Sequence, residues 1–170
     1  MTNLIRRVEK EDAAKMLSEI STIEDLFGNH YRGNTAYKGS ALDDGKSVWI
    51  HEGKLDDIFL LDDKLPFVSS YIRDTLNLLD SKKVGRAYVY NLGPGLEIFE
   101  HVDRQQYYHI TKRYHIYFDV TDIEIRHSGP PVESNTVIFF NPLEPHAYKN
   151  NSDKPLIFIV FDTYNETRNI

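Results

Sequence analysis

Val84-Gly85-Arg86-Ala87-Tyr88-Val89-Tyr90-Asn91-Leu92-Gly93-Pro94-Gly95-Leu96-Glu97-Ile98-Phe99-Glu100-His101 reads as two strands around a tight turn. Val84 to Leu92 is rich in β-branched and aromatic residues, Gly93-Pro94-Gly95 breaks the run, and Leu96 to His101 resumes it. The same texture continues downstream. Strands are expected near Tyr108–Val120, Ile123–His127, Thr136–Phe140, His146–Lys149 and Leu156–Thr163. The turns between them carry Gly129-Pro130-Pro131, Asn141-Pro142 and Asn150-Asn151-Ser152-Asp153. Roughly seven or eight short strands at close spacing predict a mainly β protein, an all-β sandwich or a jelly-roll barrel.

Upstream of Val84 the chain changes character. Ala13, Met16, Leu17 and Ile20 recur at helical spacing, as do Phe67, Tyr71, Leu76 and Leu79. These helices are expected to flank the barrel on one outer face. Between them, residues 28–53 are rich in Gly, Asn and Asp around one apolar run, Val48-Trp49-Ile50. Such a segment is either a binding loop or a set of short strands. The 170 residues suit one domain, with 1–83 as a helical or irregular flank and 84–163 as the barrel core.

Composition excludes several classes. Hydrophobic residues make up 41% and aromatics 12%, enough for a packed core. The formal net charge of −6 and a pI near 5.6 give no general attraction to nucleic acid or to anionic membranes. The absence of cysteine removes disulfides, Fe–S clusters, cysteine zinc sites and thiol nucleophiles. Met1 to Arg7 has no apolar leader, and no run is long enough to span a bilayer. A cytoplasmic location is the expectation. No Gly-rich phosphate loop or Gly-x-Ser-x-Gly elbow is present. Paired acids such as Asp43-Asp44 and Asp62-Asp63 read as solvated charges, because adjacent side chains diverge on regular structure.

His101-Val102-Asp103 places two metal-binding side chains at i and i+2, on one face if the strand continues. His146 begins a later strand. Two imidazoles and one carboxylate can bind one face of Fe(II) and leave positions open for an oxo acid and O₂. Spacing alone does not decide this, since seven histidines give several chance combinations. His51, His109 and His127 have no comparable partners and read as packing or surface residues, and His30 lies in the polar segment.

The flanking residues carry more. Leu92-Gly93-Pro94-Gly95-Leu96-Glu97-Ile98-Phe99-Glu100-His101-Val102-Asp103 resembles the iron-binding segment of the aspartyl/asparaginyl β-hydroxylase family. Arg113-Tyr114-His115-Ile116 resembles its Arg-x-His strand, and Phe139-Phe140-Asn141-Pro142-Leu143-Glu144-Pro145-His146-Ala147-Tyr148-Lys149-Asn150 its distal-histidine strand. Asn150 to Pro155, followed by Leu156 to Asp162, is similar to its closing turn and last strand. The similarity runs from about Tyr88 to Asp162. It implies a double-stranded β-helix (jelly-roll or cupin-like) barrel, Fe(II), and 2-oxoglutarate as co-substrate. The implied reaction is hydroxylation of an unactivated carbon with release of succinate and CO₂. On this resemblance His101, Asp103 and His146 are the metal ligands and the catalytic centre, and Arg113 and His115 help to bind 2-oxoglutarate.

One position departs from the family. An arginine that binds the distal carboxylate of 2-oxoglutarate usually stands ten residues after the distal histidine; here that position is Leu156. Leucine offers neither donor nor charge. Arg113 or Lys154 then takes the carboxylate, with a hydroxyl such as Tyr90; or the oxo acid shifts; or none is used. The first is the expectation, because a guanidinium is a planar fork suited to a carboxylate.

The substrate is expected to be an amino acid or a peptide side chain. Its walls are sought in residues 29–49, with Tyr31, Arg32, Thr35 and Trp49, and after Asp103, in Arg104, Gln105 and Gln106. Arg32 or Arg104 would hold a substrate carboxylate. Val48 and Ile50 also make Trp49 a candidate for a core strand. Two other readings stay open: a cupin-like metalloenzyme that needs no 2-oxoglutarate, and a non-catalytic barrel that binds a small ligand.

Overall fold

The computed structural model describes residues 4–29, 46–52, 62–81 and 83–164. In chain order these form β1 (Leu4–Arg7), α1 (Lys10–Ser21), a 3-10 turn (Glu24–Leu26), β2 (Gly28–Asn29), β3 (Lys46–Glu52), α2 (Pro66–Leu78), β4 (Val84–Leu92) and β5 (Glu97–His101). There follow the single turn α3 (Tyr107–Ile110), then β6 (Thr111–Tyr117), β7 (Ile123–Arg126), β8 (Thr136–Phe140), β9 (His146–Asn150) and β10 (Leu156–Tyr164).

The strands form two sheets. The larger has the order β1-β8-β6-β10-β4-β3-β2 and the smaller β5-β9-β7, with every neighbouring pair antiparallel. From β4 to β10 the chain alternates between them, one strand in the large sheet and the next in the small. That alternation winds the chain into a jelly-roll barrel.

Side-chain alternation along the large sheet sorts two cores. On the outer face Val84, Ala87 and Val89 of β4, Tyr114 and Ile116 of β6, and Ile159 and Phe161 of β10 join Met16, Ile20, Ile72 and Leu76 of the helices. On the inner face Tyr88, Tyr90 and Leu92 meet Tyr117, Phe140, Phe158 and Val160, with Ile98 and Tyr148 of the small sheet. The helices therefore cover one face, and the barrel interior lies on the other.

The helices are tied to each other as well as to the sheet. Pro66 opens α2, where a missing N–H costs nothing. The Glu19 carboxylate of α1 accepts the next two orphan donors, Phe67 N–H and Val68 N–H, both at 2.9 Å. Among the described residues no helix is long and apolar enough to cross a membrane.

Two details, β1 and the start of β6, depart from the sequence reading, while the apolar run around Trp49 forms the strand that is one of its alternatives. β1 is not anticipated; four residues with no alternating pattern leave little signal, and its place at the sheet edge depends on β8. Val48-Trp49-Ile50 lies in β3, with Trp49 half-buried on the inner face, its ring 5.2 Å from that of Tyr88. The run expected as one strand over Tyr108–Val120 begins as the α3 turn and is extended only from Thr111 to Tyr117. The Thr111 hydroxyl closes that turn by donating to Tyr107 O at 2.9 Å.

The end of the barrel away from β5's last residue is closed by Asn150. Its amide donates to Leu92 O, Gly93 O and Lys154 O, while its Oδ1 accepts from Ser152 N–H and the Ser152 hydroxyl. Gly95 sits opposite at φ +73°, a conformation that favours glycine, and donates to Asn150 O.

Candidate metal centre

His101 ends β5 and His146 begins β9, and the two are cross-strand partners. Their ring centroids lie 4.2 Å apart. Each ring is fixed in the same way: His101 Nδ1 is 2.8 Å from Phe99 O, and His146 Nδ1 is 2.8 Å from Glu144 O. A carbonyl can only accept, so each Nδ1 carries the proton and each Nε2 presents a lone pair. Burial holds His146 below the usual histidine range, which favours the neutral, ligating form.

Asp103 completes the group, but not by strand alternation. β5 ends at His101, and Asp103 lies in the loop beyond it. Its backbone N–H donates to Pro142 O at 2.9 Å, which ties this loop to the one leading into His146. Asp103 Oδ1 faces His101 Nε2 at 3.8 Å. The ligating atoms of His101, Asp103 and His146 all lie within 4.8 Å of one another. Lone-pair atoms that converge in this way repel unless a cation sits among them. Bonds of about 2.0–2.2 Å to one ion need only small side-chain rotations. The donor set, two neutral imidazoles and a carboxylate, suits Fe(II), and its facial arrangement leaves room for further ligands.

A second carboxylate supports the first. Arg113 of β6 lies across from Asp162 of β10. Arg113 Nε donates to Asp162 Oδ1 at 2.9 Å and Nη2 to Asp162 Oδ2 at 3.1 Å, a bidentate pair. Its Nη1 donates to Asp103 Oδ2 at 3.2 Å, which leaves Oδ1 as the oxygen that could meet an ion. Burial is the largest influence and works against the guanidinium's charge, but the Asp162 carboxylate and its hydrogen bonds, with Tyr88 and Tyr108, together outweigh it and the group stays protonated. Its carbon lies 4.6 Å from the Tyr108 ring centroid and 5.9 Å from that of Tyr88.

α3 completes this support. The Tyr107 hydroxyl accepts Arg86 N–H at 2.7 Å and lies against Asp162. A Cβ on Gly85 would collide with that hydroxyl and crowd Asp162.

Beneath the triad the barrel holds a cavity of about 70 Å³, walled by Tyr90, His115, Phe140, Tyr148, Phe158 and Arg113 among others. His115 differs from His101 and His146. Its Nδ1 is 2.8 Å from the Tyr117 hydroxyl and 3.3 Å from that of Tyr148, and the hydroxyls are 3.1 Å apart. Burial, and then the nearby Arg113 charge, hold it well below the usual histidine range, so it is neutral. Its Nε2 is buried with no partner among the described residues.

The other expected residues divide. Tyr90 lines the cavity. Arg104 is exposed and does not wall it. Lys154 is exposed in the turn before β10 and lines a separate groove with Asp119, Asp122 and Asp153. Arg113 lies beside Asp103 and donates to both Asp162 and Asp103. Arg32 and Thr35, with Tyr31 and His30, fall outside the described residues. His51 is buried against Gly85 O, and His127 stacks on Phe140, as packing residues do. Asp162, Tyr107, Tyr117 and Tyr148 are missed by the sequence reading. Arg113-x-His115-x-Tyr117, polar at period two on β6, is the signal that points to a polar interior.

No protein-family model matches the chain, and no curated protein matches its sequence. Solved structures do. The chain is similar to a prolyl hydroxylase from Trichoplax adhaerens in complex with a peptide fragment of the hypoxia inducible factor oxygen degradation domain. Identity is 12% and the TM-score 0.61, over 98% of this chain and 82% of that one. It is also similar to the non-haem α-ketoglutarate-dependent epimerase SnoN from nogalamycin biosynthesis, at 11% identity and a TM-score of 0.62, over 94% of this chain and 75% of that one. At such identities the likeness establishes the fold: the alternating two-sheet barrel is a double-stranded β-helix, and its mouth carries a histidine–aspartate–histidine group suited to a metal.

Proposed function

We propose that the protein is an Fe(II)-dependent oxygenase that uses 2-oxoglutarate and O₂ to hydroxylate an amino acid or peptide side chain, with release of succinate and CO₂. The convergence of His101 Nε2, Asp103 Oδ1 and His146 Nε2 at the mouth of a double-stranded β-helix carries the reading. The similar prolyl hydroxylase and α-ketoglutarate-dependent epimerase support it at the level of fold, and the peptide bound to the prolyl hydroxylase supports a peptide substrate. The motifs around Asp103 and His146 favour aspartyl/asparaginyl hydroxylase-like chemistry. The acidic composition, without cysteine, fits a cytoplasmic protein that binds neither nucleic acid nor membrane.

Iron and the oxo acid supply the oxidising chemistry when bound. The chain's own residues do the rest. His101 and His146 are held in the ligating tautomer by backbone carbonyls. Arg113 occupies the second oxygen of Asp103, so the carboxylate offers one atom to the ion. Tyr88, Tyr108 and Phe140 wall the reacting volume. His115 and Tyr90 line the cavity and are the residues assigned to the oxo acid in this reading.

Purified protein with Fe(II), O₂ and 2-oxoglutarate should release succinate, and His146→Ala and Asp103→Ala should release none. Succinate release at the wild-type rate in either variant would contradict the assignment. Leu156, buried where the resemblance places an arginine, favours one second reading: a cupin-like metalloenzyme working without an oxo acid. Metal binding with no response to 2-oxoglutarate would support it.

A further inference from the structure

The cavity floor lacks what a dicarboxylate would ordinarily meet. Among the described residues that wall it, Arg113 is the one cation, and three of its N–H groups already serve Asp162 and Asp103. A divalent ion and that guanidinium, set against two carboxylates, leave one positive charge. The carboxylate that chelates the ion cancels it. Leu156 does not reach the cavity either; it packs one rung beyond Phe158, whose ring with those of Tyr90 and Tyr148 closes the floor.

What the floor does hold is a directed set of neutral donors. Two hydroxyls, Tyr117 and Tyr148, surround His115 Nδ1. Each brings one proton, and a phenol donates better than it accepts. If Nδ1 carried its own proton, three protons would compete for two hydroxyl oxygens. With Nδ1 bare, Tyr148 donates to Tyr117, Tyr117 donates to Nδ1, and both hydroxyl protons and Nδ1 are used within the relay. The imidazole proton is then on Nε2, the buried atom that lacks a partner among the described residues. This is the opposite tautomer to His101 and His146, and it makes His115 a donor.

We propose that the Tyr148–Tyr117–His115 relay receives the far end of the oxo acid, so that this site reads a hydrogen-bond acceptor and not a negative charge. The inference rests on the oxo-acid reading above. It makes the protein permissive: a 2-oxo acid ending in an uncharged carbonyl binds nearly as well as 2-oxoglutarate. Tyr117 is a positioning residue, acting through His115.

The test is an anaerobic titration of the Fe(II)-loaded wild-type protein with 2-oxoglutarate and with its 5-methyl ester, following the metal-to-ligand charge-transfer band. Both acids should produce the band, with dissociation constants within about tenfold, since only the difference between a charged and a neutral acceptor separates them. Discrimination of about a hundredfold or more against the ester would reveal a cation at the far end and overturn the proposal. No band with either acid would overturn the oxo-acid reading and the relay with it. In Tyr117→Phe, both acids should weaken about tenfold while Fe(II) affinity is unchanged. Nitrogen NMR of labelled wild-type protein should place the His115 proton on Nε2; a proton on Nδ1 would overturn the relay without any variant.

Discussion

Asp162→Asn should weaken both the fold and the metal centre, because one buried carboxylate supports both. Asp162 is fully buried, and both of its oxygens are taken by Arg113. Asparagine keeps the shape and one acceptor but removes the charge. Breaking a buried ion pair from one side costs about 2–4 kcal/mol when the partner retains another contact, as Arg113 retains Asp103. For a chain of this length that lowers Tm by about 5–15 °C. The second effect is on the ion. With Asp162 neutralised, Asp103 becomes the sole carboxylate facing Arg113. The guanidinium then competes with the metal for Asp103, and the extra positive charge repels it. Loss of such a supporting contact typically weakens metal binding about 10–100-fold. Differential scanning calorimetry of the metal-free protein and anaerobic calorimetric titration with Co(II) or Fe(II) read the two effects separately. Metal affinity within twofold of wild type, in a variant that folds, would refute the claim that Arg113 and Asp162 position Asp103.

Three further outcomes follow from the same contacts. Gly85→Ala should lower Tm and metal affinity together, because its methyl group collides with the Tyr107 hydroxyl and presses on Asp162; an affinity unchanged by titration would disconnect α3 from the metal centre. Asn150→Ala should cost about 2–4 kcal/mol in chemical denaturation, since it strands three backbone carbonyls at the closed end of the barrel, yet leave metal affinity alone; a loss below about 1 kcal/mol would contradict its role there. His115, His127 and His146 are all held below the unfolded histidine value of 6.5 by burial. Below that value the unfolded chain binds more protons than the native one, so the metal-free protein should lose stability as pH falls from about 7 toward 5, by up to about 1.4 kcal/mol per pH unit for each of His115 and His146 and by less for the half-exposed His127. A Tm that is flat over that interval would show these rings to be protonated in the native state.

Much of the barrel is legible in the sequence because its strands are short, bounded by Gly, Pro and Asn turns, and alternate between two cores. Val84–Leu92 and Thr136–Phe140 are found with their expected bounds. The ligand candidates were legible for a different reason: His101, Asp103 and His146 are embedded in local segments whose residue types the resemblance recognises. What escapes local reading is long-range pairing. Asp103 reaches the group through a backbone hydrogen bond to Pro142, not through strand alternation. Asp162 closes an apolar strand and looks like a surface charge until β10 is laid beside β6 and it meets Arg113. The α3 turn was hidden inside a β-rich run because Tyr107 and Tyr108 favour strands by type. Here tertiary contacts override that preference: Tyr108 packs on Arg113 and Tyr107 on Arg86. Arg113 carries the sharpest lesson. The sequence assigns it to a ligand, while the register commits it to two carboxylates of the chain.

The most direct measurement is an anaerobic titration of the metal-free protein with Fe(II), followed by 2-oxoglutarate. One ion should bind per chain in wild type and none in His146→Ala, and 2-oxoglutarate should raise a charge-transfer band that needs both iron and the intact triad. Equal iron binding by His146→Ala, or no binding by the wild-type protein, would contradict the metal centre on which the account rests.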